Sequence, residues 1–179
     1  MKRRPTVHGW RRTTLSIVVL AGLAVGMATW QALTLWLFPG PLIVAGRVLD
    51  GYSVIDGDTL KIGGQSIRLQ GIDAPELRQT CPDGWPAGQE ARRALAAIVT
   101  AAPVRCERVT TDVYGRTVAF CRVNGQDLGA TLVRSGMAWA YTTYSWRYLL
   151  DEWQAWFDGL GVHGRNCASP AAWRASHPR

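Results

Sequence analysis

Apolar and polar positions follow three patterns along the chain. From Leu15 to Phe38 the run LSIVVLAGLAVGMATWQALTLWLF is apolar almost without interruption, and no charge occurs between Arg12 and Arg47. From Leu42 to Val123 short β-branched and alternating segments dominate, with one helix-period stretch among them. After Gly125 the spacing becomes helical and rich in tryptophan.

In the second region Leu42 to Asp50 and Tyr52 to Ile55 read as strands, with Gly51 as a bend. Thr59 to Ile62 and Ser66 to Gln70 flank Gly63-Gly64, a two-residue hairpin signal, and their alternation sends Leu60, Ile62, Ile67 and Leu69 inward. Gln89 to Thr100 carries Ala91, Leu95, Ile98 and Val99 at helical spacing. Val104 to Thr111 and Thr117 to Val123 read as strands joined at Asp112-Val113-Tyr114-Gly115, and Asn124-Gly125 makes another turn. Asp127 is a fitting N-cap for Leu128 to Ser135, with Gly136 as the stop. Ser145 to Leu160 places Leu149, Leu150, Trp153, Trp156, Phe157 and Leu160 at i, i+3, i+4 spacing, which predicts a helix packing its tryptophans into the core. Five strands with one helix between the third and fourth predict a mainly β, α+β domain: a small Greek-key barrel of the oligonucleotide-binding (OB) type.

The first region changes the picture most. At about 1.5 Å per residue a 24-residue helix spans a bilayer core of roughly 30 Å. Five basic residues precede it, and Trp30 and Trp36 lie toward its far end, which predicts an N-in orientation with the remainder outside. The competing reading is a cleaved signal peptide, for which Ala24, Gly26 and Ala28 could supply the site. The apolar run continues past them through LTLWLF, favouring an uncleaved anchor. The expected layout is a basic flank at 1–14, the anchor at 15–38, a linker at 39–43, a folded domain at 44–165 and a tail at 166–179. Most of the formal charge of +7 belongs to the flank. From Pro39 onward 15 basic residues face 13 acidic ones, so a general basic field is a weak argument for a polyanionic partner.

The four cysteines fit an oxidising compartment. Centred on the 112–115 turn, Cys106 falls opposite Cys121, leaving Cys81 for Cys167. No CxxC or His pair gives them zinc-ligand spacing.

Chemistry concentrates in VIDGDTLKIGGQSIRLQGIDAPE, Val54 to Glu76, where Asp56, Asp58, Asp73 and Glu76 share two short segments with Arg68. If the two strands pair, Asp58 and Asp73 meet at one end of the sheet. Hard oxygen ligands suit Ca2+ or Mg2+. Arginine matches a phosphate with two parallel hydrogen bonds. A metal, a carboxylate base and a pair of arginines are the means of phosphodiester hydrolysis. Each residue taken singly could be a turn or a cross-hairpin ion pair.

VIDGDTL, IRLQGIDAPE and DVYGRTVA resemble the three signature segments of the staphylococcal nuclease (thermonuclease) family, in the family's order, over roughly Val44 to Leu160. The resemblance implies an OB-type barrel with three helices and a Ca2+-dependent phosphodiesterase acting on DNA and RNA. It implies that Asp58, Asp73 and the backbone carbonyl of Ala74 bind Ca2+; Ala74 stands where the family commonly has threonine. Glu76 is implied as general base, and Arg68 and Arg116 as the arginines that hold the phosphate. Asp56 would stand near the metal and Tyr114 beside Arg116, while Tyr141 and Tyr144 are candidates to flank a nucleotide. Cleavage on the 5′-oxygen side, leaving 3′-phosphates, follows from the same resemblance. The alternative from another class is a membrane-tethered module that binds nucleic acid or an anionic glycan without cutting it. No substitution at Asp58, Arg68, Glu76 or Arg116 favours that alternative, and the sequence implies no protein partner.

Overall fold

The computed structural model describes residues 52–178. The apolar segment, the linker and the expected strand from Leu42 to Asp50 lie outside the described residues. Among those described, no helix is long and apolar enough to cross a membrane.

The described residues begin with β1 (Tyr52–Val54), β2 (Thr59–Ile62) and β3 (Gln65–Leu69). Gly63 and Gly64 turn β2 into β3 with φ of 57° and 84°, the doubly left-handed geometry whose twist matches that of paired strands. The resulting register sets Leu60 against Ile67 and Thr59 against Arg68. Leu60, Ile67 and Leu69 are buried while Lys61 stays in water. After β4 (Ile72–Asp73) and a long loop comes α1 (Ala87–Val99), which buries Ala91, Leu95 and Val99. The hairpin β5 (Val104–Thr111) and β6 (Thr117–Val123) follows, its register shifting between Arg108 and Thr110.

Strand β6 pairs parallel to β3, so the sheet order is β1-β2-β3-β6-β5, with the short β7 (Gln126–Asp127) added to β6. Asp127 then caps α2 (Leu128–Arg134) by accepting a hydrogen bond from the Ala130 amide at 3.1 Å. Gly136, with φ of 69°, ends that helix as expected. A separate two-stranded sheet joins β4 to β8 (Trp139–Ala140), setting Asp73 opposite Trp139. The core lies between sheet and helices, where Leu60, Leu95, Leu128 and Leu132 are fully buried. This mixed α+β arrangement, sheet and several helices, agrees with the predicted fold class; β1 and β5 end the order of the described sheet, and no pairing closes it into a barrel among the described residues.

One expectation is reversed. The tryptophan-rich helix is shorter than predicted, α3 (Leu149–Phe157), and it turns its apolar residues outward. Trp153, Trp156 and Phe157 are exposed, and Ala155 is the buried residue of the helix. The inward side runs through Tyr148, Asp151, Glu152 and Ala155. Tyr148 fills the core ahead of the helix and donates its hydroxyl hydrogen to Asp127 at 2.8 Å, and Asp151 accepts from Arg134 Nε at 3.1 Å. Polar anchors on α2 and its cap therefore set the helix's rotation, and the small Ala155 permits the close approach.

Two further helices complete the chain, α4 (Gly161–Gly164) and α5 (Pro170–Ser176). Ser169 caps α5 through the Ala172 amide, with Pro170 as its first residue. Both disulfides form as the sequence predicts. Cys106 and Cys121 are directly opposed in the β5–β6 ladder, and Cys81 joins Cys167 across 86 residues.

Candidate active site

The bend between β1 and β2 presents Asp58. Asp56 accepts a hydrogen bond from the Asp58 amide at 3.1 Å, an Asx turn that fixes the bend. Gly57 is required by space, because a Cβ there would lie 2.7 Å from the Cβ atoms of both Ala74 and Ala91. The Asp58 carboxylate is buried and fully engaged. Its Oδ1 accepts from Arg68 Nη1 at 2.8 Å and from the Thr59 hydroxyl at 2.9 Å, and its Oδ2 accepts from the Ala74 amide at 3.1 Å.

Arg68, cross-strand from Thr59, reaches past Asp58 and donates from Nη2 to Asp73 Oδ1 at 3.0 Å. Asp73 ends β4 and is buried. The β1–β2 bend, β3 and the end of β4 thus meet: Asp58 and Asp73 converge, as the sequence predicts, and Arg68 stands between them. Burial pushes the Asp58 carboxyl up to about 7, against the opposing pull of Arg68. Burial also works against the Arg68 charge, yet Asp58 and Asp73 outweigh it and raise that guanidinium above its ordinary range.

Glu76 sits in the loop after β4, a third exposed. The buried Gln79 holds this loop from inside. Its Oε1 accepts from the Glu76 amide at 3.1 Å, its own amide donates to the Glu76 carbonyl at 2.7 Å, and its Nε2 donates to the Ala168 carbonyl at 2.7 Å. Helix α1 presses on the same loop through Gly88.

Arg116 comes just before β6, whose Thr117 pairs with Ile67, next to Arg68. Its Nε donates to Asp112 Oδ2 at 2.7 Å, while Asp112 Oδ1 accepts from the Arg116 and Tyr114 amides, both at 2.9 Å. The Arg116 guanidinium carbon lies 5.5 Å from the ring centre of the exposed Tyr114. Its two Nη groups have no protein partner among the described residues, so they are free for an anion. Among the described residues no hydrogen bond or ion pair joins Arg116 to Asp58, Asp73 or Glu76. Tyr141 and Tyr144 form an edge-to-face pair, ring centres 4.9 Å apart, beyond β8.

Sequence reasoning missed three contributors. Asp112 braces Arg116, and its place in an Asp-x-x-Gly turn was the available signal. Gln79 lies four residues after a proline in a loop and carries no pattern. Arg174, on α5, is the largest omission: its Nη2 donates to Asp73 Oδ2 at 3.0 Å, and its Nη1 to Glu76 Oε1 at 2.9 Å and Asp73 Oδ1 at 3.4 Å. The hydrogen bond to Asp73 holds the Arg174 guanidinium above its ordinary range. Ser169-Pro170 is a helix-start signature, and pairing Cys81 with Cys167 already implied that the tail returns to the acidic loop.

Among the described residues no group of three or more His, Cys, Asp or Glu side chains is arranged to hold a metal ion; arginines bridge the carboxylates instead. The donor chemistry nevertheless fits a hard divalent cation. Two carboxylates and the Ala74 carbonyl offer oxygen only, and a guanidinium already stands as a cation on the outer oxygens of Asp73 and Glu76.

Residues 66–155 match the family described as Staphylococcal nuclease homologue. Arg68, Asp73, Glu76 and Arg116 fall inside the match; Asp58 and Arg174 fall outside it. The chain is 44% identical over 100 residues to the succinoglycan biosynthesis protein ExoI of Rhizobium meliloti, covering 52% of this chain and 52% of that one. It is 36% identical over 129 residues to an uncharacterized endonuclease of Haemophilus influenzae, covering 68% and 69%. With the probable staphylococcal-like nuclease CAN1 of Oryza sativa subsp. japonica it shares 33% over 113 residues, 63% of this chain and 30% of the relative. The chain thus spans about half the length of the first of these relatives and less than a third of the last.

Proposed function

Because this chain belongs to the staphylococcal nuclease family, we propose that it is a nuclease, a hydrolase of phosphodiester bonds in DNA and RNA with little sequence preference. The observation that carries this reading is the joining of Asp58, Arg68 and Asp73 in one cluster, to which Arg174 ties Glu76, with a second arginine, Arg116, held just before the strand beside β3.

In this mechanism Arg68 and Arg116 grip the non-bridging oxygens of the scissile phosphate. Arg116 is suited to it, since Asp112 occupies only its Nε and leaves the fork of Nη groups open. Glu76 takes a proton from a water that attacks phosphorus in line. The bond to the 5′ oxygen breaks, leaving a 3′-phosphate, and the arginines neutralise the charge that gathers on the phosphoryl oxygens. Asp58, Asp73 and the Ala74 carbonyl would hold Ca2+, which supplies Lewis-acid polarisation of a phosphoryl oxygen. Asp56 keeps the Asp58 bend closed, and Gln79 keeps the Glu76 loop at its depth. Tyr114, Tyr141 and Tyr144 offer ring faces and edges on which bases can stack.

The family and the mixed α+β sheet support reading the described strands as part of an OB barrel. The apolar segment at 15–38 is read as an uncleaved anchor, placing the nuclease at a membrane on the extracytoplasmic side. The two disulfides support an oxidising compartment.

The test is incubation of the full chain, in detergent, with plasmid and single-stranded DNA in Ca2+ and then in excess chelator. The expected result is degradation that the chelator stops. Arg116→Ala should lose at least about a hundredfold in turnover, the scale of one preorganised donor at the developing charge, with an unchanged thermal midpoint. DNA that is bound and never cut would leave the non-catalytic binding module as the function.

A further inference from the structure

The carboxylates are held by two arginines of different character. Arg68 is nearer the interior, its side chain 21% exposed, and it is enclosed between two buried acids. Arg174 is 42% exposed and comes from a helix seven residues past Cys167. It donates to Asp73 Oδ2 and Glu76 Oε1, which Arg68 leaves open, and at 3.4 Å shares Asp73 Oδ1 with Arg68.

We propose that Arg174 is a positioning residue of the site that holds Asp73 and Glu76 as a pair in the metal-free protein and competes with a divalent cation for Asp73. The inference rests on the metal reading proposed above and deepens it. Three observations carry it. A guanidinium and a hard cation seek the same carboxylate oxygens, so both cannot use Asp73 Oδ2 at once. The tail is delivered to the site by construction: Cys81–Cys167 brings its backbone to the acidic loop with Cα atoms 4.6 Å apart, Gln79 fastens Ala168, and Pro170 is buried. Beyond that tether, only half-buried Trp173 and the Arg174 ion pairs lie against the domain, with the remaining α5 side chains in water. Partly solvated ion pairs are weak, so this contact can yield to a metal.

The geometry therefore gives the tail two states. In one, Arg174 neutralises Asp73 and Glu76 and keeps two like charges apart from each other's repulsion. In the other, a cation on Asp73 takes its place and Arg174 turns outward, leaving Glu76 free to accept a proton.

The probe is Ca2+ alone, titrated calorimetrically into the full chain in detergent, with thermal melts recorded in parallel in chelator. Arg174→Gln is expected to bind Ca2+ about tenfold more tightly than the parent, the equivalent of two partly exposed charge-assisted hydrogen bonds, while melting somewhat lower in chelator. Arg174→Lys keeps the charge but cannot bridge both acids, and should fall between the two; it also serves as the readout should the glutamine variant melt too low. Equal Ca2+ affinity in all three chains overturns the proposal while leaving the metal reading standing. Weaker Ca2+ binding in Arg174→Gln also overturns it, and makes Arg174 a support for the metal. Absence of Ca2+ binding in every chain overturns the proposal and the metal assignment together.

Discussion

Replacing Gly88 with alanine measures how tightly Glu76, the proposed base, must be placed. Gly88 is the second residue of α1, and a Cβ there would lie 2.0 Å from the Glu76 carbonyl oxygen and 2.7 Å from its carbon. Real Cβ contacts stay above 3.0 Å, so the Glu76–Leu77 peptide must recede by at least about 1 Å in a close-packed interior. The backbone itself is no obstacle, since alanine in place of glycine favours a helix by up to about 1 kcal/mol. Overpacking costs about 1–3 kcal/mol, which leaves a net loss of about 1 kcal/mol and a thermal midpoint roughly 3–5 °C lower. Activity should suffer far more. The same displacement stretches the 3.1 Å hydrogen bond that Gln79 makes to the Glu76 amide and carries the carboxylate with it. A misplacement of about 1 Å at a reacting group costs about a hundredfold in rate. The assay is initial-rate hydrolysis of single-stranded DNA in saturating Ca2+, read beside a thermal melt. A Gly88→Ala protein that cuts within twofold of the parent would refute the reasoning, showing either that the loop yields freely or that Glu76 is not the base.

Removing Cys106–Cys121 frees a short loop and should cost about 3 kcal/mol, whereas removing Cys81–Cys167, which spans 86 residues, should cost about 4–5 kcal/mol; denaturant midpoints of the two double-serine variants check the order. Because burial raises the Asp58 carboxyl to about 7, above its unfolded value, this group's contribution to stability is present below about pH 4 and is lost as the pH rises toward 7. Carbon-detected NMR of the chelated protein should show that carboxyl titrating near 7; a midpoint near 4 would remove the burial argument. Trp156→Ala, at an exposed position, should shift stability by no more than about 0.5 kcal/mol, whereas Ala155→Leu, beside it and buried, should cost about 1–3 kcal/mol by overpacking.

What the sequence discloses here is whatever is decided locally. Gly63-Gly64 and Asn124-Gly125 specify their turns by backbone conformation alone, and once the 112–115 turn is placed the pairing of Cys106 with Cys121 follows from counting. Asp58, Arg68 and Asp73 were legible for the same reason, since one hairpin and one short strand bring them together. The rotation of α3 was not. Periodicity says that Trp153, Trp156 and Phe157 share a side of the helix, but the side that faces inward was settled by Tyr148 and Asp151 finding partners on α2 and its cap. Arg174 was illegible because an arginine in a short tail of mixed composition has no pattern, and its partner Asp73 is 101 residues away. Arg68 shows a subtler shortfall: its residue type suggests a phosphate, and its two hydrogen bonds go first to the acids beside it.

The long span of the Cys81–Cys167 bridge also bears on the order in which the chain is made. Synthesis at roughly 5–20 residues per second delivers Cys106 and Cys121 several seconds before Cys167. For that interval Cys81 is a thiol without its mate, with two other cysteines in reach. The β5–β6 hairpin resolves the competition, because its local ladder sets Cys106 against Cys121 as soon as both strands exist. Cys81 is then left for the one sulfur still to come. The arginine that closes on Asp73 and Glu76 arrives seven residues after that sulfur, so the acidic loop receives this charge partner only after both cysteines of the long bridge have been made.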